Sequence, residues 1–184
     1  MKKCTVFILL MLPATALAHP GHDIHGFAAG FSHPFGGLDH LLAMLALGIW
    51  AAMRNRGLGQ VLGGFLVGMG LGGVLGMQGL VIPMLESWVL VSTLLATLLV
   101  ALAVRLPLYA QTMVAVLFAL VHGMAHGTEL PASGAAWLYV SGFLFATALL
   151  IIAGWMAGRL LGTQFRQRWL GAGLATAAAS LFLA

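Results

Sequence analysis

Apolar residues run along this chain in blocks too long for the buried stripe of a surface helix, and polar residues fall in short breaks between them. A helix crossing a bilayer needs about 20 mainly apolar residues. On that rule the pattern predicts spans near Pro34–Met53, Val61–Leu80, Trp88–Val104, Leu108–His126, Ala136–Ala157 and Trp169–Ala184. The breaks are Arg54-Asn55-Arg56-Gly57, Gln78 to Ser87 with Pro83, Arg105-Leu106-Pro107, Gly127 to Gly134 with Pro131, and Gly162 to Arg168. The third, fourth and sixth runs are short for a full crossing. The expected fold class is all-α: a polytopic membrane protein with six transmembrane helices forming one domain, residues 19–184.

The first apolar stretch differs in kind. Lys2 and Lys3 precede the run Val6 to Leu12, and Ala16-Leu17-Ala18 follows it just before His19. Positive region, short apolar core and small-residue site in that order predict a signal peptide, residues 1–18, removed from the mature protein. An uncleaved first helix is the alternative. The single cysteine, Cys4, would leave with the peptide, and it precedes the apolar run, so neither a disulfide nor a lipid anchor is expected.

Composition agrees with a bilayer as solvent. Apolar residues make up 61% of the chain and charged residues 7%, and the mean hydropathy is +1.05. A water-soluble chain of this kind would expose far too much apolar surface. The net charge of +4 does not point to nucleic acid, because the basic residues form no stripe with interleaved aromatics. They act as topology signals. Arg54 and Arg56, then Arg105, then Arg159, Arg166 and Arg168 follow the first, third and fifth spans, and six crossings put all of them on one side. The positive-inside rule makes that side the cytoplasm. The mature N-terminus is then external, as signal cleavage independently requires.

That topology sorts the ionisable groups. His19, His22, Asp23 and His25 are external, and His33, Asp39 and His40 lie at the outer end of the first span. Glu86 falls in an outer loop, where a solvated charge is the simplest reading. His122, His126 and Glu129 lie at the outer end of the fourth span. An ionisable group at membrane depth is costly and marks function by default. Histidine with carboxylate is the ligand set for borderline divalent cations such as nickel, cobalt and zinc.

His122 and His126 are four apart, so both imidazoles meet one face of a helix, and Glu129 continues that face if the helix persists. His33 and His40 share a helix face but stand about 10 Å apart along its axis, too far for one ion unless the helix start is loosened. Gly36-Gly37 would loosen it. Ser32 with Pro34 reads instead as an N-cap and first turn. Asp39 points away from His40 and is a candidate to orient a histidine. His19, His22 and His25 form a possible external capture site, or simply a polar terminus.

Gly123 and Gly127 would let another helix approach closely, and the expected partner is the first span. Gly64, Gly68, Gly72 and Gly76, with Gly63, Gly70 and Gly73, form a second glycine ladder for close packing. Met44, Met69, Met77, Met113 and Met124 are gap fillers before they are soft copper ligands. Trp50, Trp88, Trp137, Trp155 and Trp169 are expected as interface anchors.

With these motifs the chain resembles the HupE/UreJ family of nickel and cobalt permeases. The family has a cleaved signal peptide, a His-x5-Asp-His motif in its first mature span, and a Phe-His-Gly-x-Ala-His-Gly-x-Glu type motif in its fourth. Here they stand as His33 to Asp39-His40 and as His122-Gly-Met-Ala-His126-Gly-Thr-Glu129, with Val121 in place of the phenylalanine. The resemblance covers essentially the whole chain. It implies uptake of Ni²⁺, or Co²⁺ in some members, across a bacterial inner membrane from periplasm to cytoplasm.

The expected metal ligands are therefore His33, Asp39, His40, His122, His126 and Glu129, with Thr97, Gln111 and Thr112 as weak inner groups. No enzymatic activity and no permanently bound cofactor are expected; the cation is cargo. The lipid bilayer is the expected partner, nucleic acid is not, and homo-oligomerisation stays open. The chain has no Gly-x4-Gly-Lys-Ser/Thr, so ATP hydrolysis is not expected within it. Rival readings are a membrane b-type haem protein using His40 and His122, an intramembrane zinc hydrolase, and a metal-binding sensor or accessory subunit.

Overall fold

The computed structural model describes residues 26–54, 57–80, 82–130 and 136–183. The signal peptide and the external residues His19, His22, Asp23 and His25 lie outside the described residues. Helices and turns account for all regular structure among the described residues, in the order α1 (Phe27–Ser32), a 3₁₀ turn (His33–Phe35), α2 (Leu38–Ala52), α3 (Leu58–Met77), α4 (Leu85–Ala101), α5 (Leu108–Glu129), α6 (Ala136–Leu161) and α7 (Gln164–Ser180).

Each predicted run holds a helix, but the first is not the continuous Pro34–Met53 segment expected. The chain bends by 81° between the Phe27–Phe35 stretch and α2. Gly36 and Gly37 supply the hinge, with Gly37 extended at φ −103°, ψ 117°. Two adjacent glycines offer the helix little propensity and no side chain to pack, so this is where it yields. Ser32 stands at the N-cap of the 3₁₀ turn with Pro34 in its first turn, as expected, but its hydroxyl caps no N–H and donates back to the Ala29 carbonyl at 3.0 Å. α5 persists past the expected end at His126 and reaches Glu129.

Helices α3, α5 and α6 are each long and apolar enough to cross a membrane, and the bent α1–α2 pair taken together makes a fourth. α4 is a shorter apolar helix of 17 residues, about 25 Å against a hydrocarbon core of about 30 Å. α7 has the same length and carries Arg166 and Arg168 in its first turns.

The glycine ladder decides which helices touch. A Cβ on Gly68 or Gly72 would run into the backbone of α5 at Val116 or Leu120, and one on Gly123 or Gly127 would strike α3 at Met69 or Gly73. So α5 is locked against α3. The expectation that Gly123 and Gly127 admit the first span is corrected: the glycines of both helices pair with each other, where backbones gain the most van der Waals contact. Gly63 and Gly70 take no part, since nothing lies within 4 Å of their Cβ positions. Gly48 and Gly154 bring α2 equally close to α6, and Gly30 and Gly142 seat α1 on the start of α6.

Trp50, Phe65, Met44, Leu47 and Ile151 fill the core between these pairs. Trp50 is thus not an interface anchor; it is 1% exposed, and its indole N–H donates to the Val104 carbonyl at 2.8 Å. Trp88, Trp137 and Trp169 are exposed at helix ends as expected. Met44, Met69 and Met124 are buried filler, whereas Met113 is exposed.

Candidate metal centre

One end of the bundle gathers the polar chemistry. The 3₁₀ turn contributes His33, the first turn of α2 contributes His40, and the last two turns of α5 contribute His122, His126 and Glu129. The bend is what makes this possible. In a straight helix His33 would lie a full two turns from His40; folded back at Gly36-Gly37, it reaches across to α5 instead.

The outer group is His33, His126 and Glu129. His33 Nε2 lies 3.1 Å from His126 Nδ1, and Glu129 Oε2 lies 3.9 Å from that same His126 nitrogen. One donor atom from each of the three falls within 4.8 Å of the other two. Ligands held at about 2.0–2.1 Å around one tetrahedral ion stand about 3.3 Å from one another. The imidazole pair is already at that spacing. The Glu129 side chain is exposed and stands farther out.

The inner group is His40 and His122, 2% and 0% exposed. Their ring centroids are 5.5 Å apart, and His126 connects the groups at 5.2 Å from His40. His122 Nδ1 lies 3.0 Å from the Phe118 carbonyl oxygen. A carbonyl only accepts, so Nδ1 carries the proton and Nε2 presents a lone pair. Among the described residues that Nε2 is buried with no hydrogen-bond partner, and so is Nδ1 of His40. A buried polar atom left unpaired costs about 1–3 kcal/mol. A cation held by either nitrogen would remove that cost.

Several groups here were not expected from the sequence. Thr147 Oγ1 lies 3.2 Å from His40 Nε2, and Ser92 Oγ lies 3.4 Å from His122 Nδ1. Phe143 walls the cluster, its ring centroid 4.7 Å from His126 and 5.1 Å from His40. Tyr139, at 5.7 Å, closes the side of His33. Tyr139, Phe143 and Thr147 are spaced four apart on one face of α6, and that periodicity was the available signal. Lone hydroxyls in apolar helices are common enough to hide it.

One expectation is not met: Asp39 bonds none of the described histidine rings through its carboxylate, and its backbone carbonyl accepts from Thr93 Oγ1 at 3.3 Å. Of the expected inner groups, the Thr97 and Thr112 hydroxyls donate to carbonyls of their own helices. The Gln111 amide N–H donates to the Trp50 carbonyl at 3.1 Å, while its Oε1 is buried with no hydrogen-bond partner among the described residues. Serine and threonine satisfy themselves this way whenever an apolar helix offers no other acceptor. Glu86 is exposed in the first turn of α4, a solvated charge at a helix N-terminus as expected.

Residues 7–183 match the family model described as HupE / UreJ protein. The chain is also 39% identical over 154 residues to Protein HupE of Rhizobium leguminosarum bv. viciae, covering 83% of this chain and 81% of that relative. No solved structure matches the chain. The histidine cluster joining the bent first segment to the end of α5 is thus carried by a chain that, over nearly its whole length, belongs to the HupE/UreJ family.

Proposed function

We propose that this protein is an inner-membrane permease importing a divalent transition-metal cation, Ni²⁺ foremost and Co²⁺ next, from periplasm to cytoplasm. The carrying observation is the convergence of four imidazoles and one carboxylate from three separate segments, two of those imidazoles presenting unpartnered buried nitrogens. Membership of the family supports the cargo, and the apolar helices support the bilayer.

In this proposal residues 1–18 are a cleaved signal peptide and residues 19–184 cross the membrane six times, with the arginine-bearing ends inside. Hydrated Ni²⁺ meets His33, His126 and the exposed Glu129 first. It sheds water there and passes to His40 and His122, with His126 shared between the two groups. Imidazole suits nickel, cobalt and zinc alike, so the ligands set a class of cargo rather than one metal. Conduction needs binding weak enough to leave. Two incomplete sites sharing a ligand provide that better than one saturated cage. The Asp39 carboxylate adds negative charge near the start of α2 without ligating.

The test is uptake of radiolabelled nickel and cobalt by cells producing wild type, His40→Ala or His126→Ala at equal membrane abundance. Both substitutions are expected to abolish most uptake. Undiminished uptake in both removes the site assignment.

A further inference from the structure

At the opposite end of the bundle from the histidines, three arginines line one cavity of about 790 Å³. Arg54 follows α2, Arg105 follows α4, and Arg159 lies in the last turn of α6. Gln164 and Gln167 of α7 complete the polar lining, and none of the described lining residues is acidic. The positive-inside rule explains why arginines lie on this side. It does not explain why they share a pocket.

The frame around them is fixed. Arg54 Nη1 donates to the Leu106 carbonyl at 2.6 Å, and the Trp50 indole holds Val104 of the same loop, so Arg105 is carried between two anchors. The Gln167 amide, 4% exposed, donates to the Gly158 carbonyl at 2.8 Å beside Arg159. The N-terminal end of α7, capped by Thr163, opens on the same space and adds its positive dipole. Arg54 spends one of its guanidinium N–H donors on Leu106 and keeps others for a ligand. Planar donor forks around a cation-rich pocket match the oxygens of oxyanions, phosphate among them.

We infer that this pocket binds a phosphate group, supplied by the headgroup of an anionic phospholipid or by a free phosphate anion. Nearby apolar surface favours the lipid source: Leu160, Phe165 and Trp169, one or two residues from lining residues in sequence, are all exposed and offer an apolar surface to acyl chains. Basic pockets between helix ends on the cytoplasmic side are where such headgroups settle. The inference does not depend on the transport proposal, because none of its residues belongs to the histidine cluster.

The test uses the full chain purified in a neutral detergent, followed by melting temperature during titration with phosphatidylglycerol, phosphatidylcholine or inorganic phosphate. Phosphatidylglycerol is expected to stabilise saturably and phosphatidylcholine not at all. Arg105→Gln and Arg159→Gln should each weaken the apparent affinity about fivefold. Arg166→Gln, outside the pocket, should leave it unchanged. Stabilisation by inorganic phosphate at comparable concentration identifies the free anion as the source; stabilisation by phosphatidylglycerol alone identifies the bilayer. An equal response to phosphatidylcholine overturns the inference. So does a full response in the Arg105→Gln/Arg159→Gln double variant, or an equal loss in Arg166→Gln.

Discussion

Thr147→Val removes one hydroxyl and changes almost nothing else in shape, at a residue with no exposed surface. Among the described residues its Oγ1 is the one hydrogen-bond partner of His40 Nε2, at 3.2 Å, and the other ring nitrogen of His40 has none. If His40 donates its Nε2 proton to Thr147, Nδ1 is left as a lone pair, the form a cation needs. Losing one partner of a buried hydrogen bond costs about 1–3 kcal/mol, or about 5- to 150-fold in affinity. Outer partners of metal-binding histidines typically carry about 10–100-fold. The two estimates overlap, so half-saturation for Ni²⁺ uptake should rise about 10–100-fold in Thr147→Val, with Thr147→Ser close to wild type.

The assay is the nickel dependence of initial uptake in cells matched for membrane abundance, with melting temperature as a check on folding. A merely structural role would lower abundance and spare the nickel dependence. The decisive control is the double variant. Against a His40→Ala background, Thr147→Val has no imidazole left to position and should cost nothing further. Wild-type half-saturation in Thr147→Val, or an additive loss in the double variant, refutes the reasoning.

Two further outcomes are expected. Only neutral imidazole binds a cation, so uptake should fall as the external solution is acidified; uptake that rises on acidification contradicts imidazole ligation. Gly72→Ala places a methyl against the Leu120 and Met124 backbone of α5, whereas Gly70→Ala meets nothing within 4 Å. The first should destabilise by about 1–3 kcal/mol and the second should stabilise by up to about 1 kcal/mol, so melting temperatures moving in the same direction would contradict the packing.

Much of this protein is written along the chain. Hydrophobic run length alone places a helix in each predicted run, because a bilayer accepts few other solutions for so apolar a sequence, but it misses α1 and the early start of α7 at Gln164. The histidine motifs name themselves for a related reason: an ionisable group among so few charges stands out against its background.

What the linear pattern could not fix was direction. His33 and His40 have helical spacing, and only the 81° bend at Gly36-Gly37 turns one towards Glu129 while the other stays buried beside His122. Glycine spacing marked two adhesive helix faces without saying that they adhere to each other rather than to the first span. Thr147, Ser92 and Phe143 joined the site, and Asp39 left the circle of histidine partners, through contacts between residues far apart in sequence. Run length and residue type are local properties and survive in one dimension. Which lone pair meets which neighbour is a matter of packing, and that is settled only once the helices have chosen their partners.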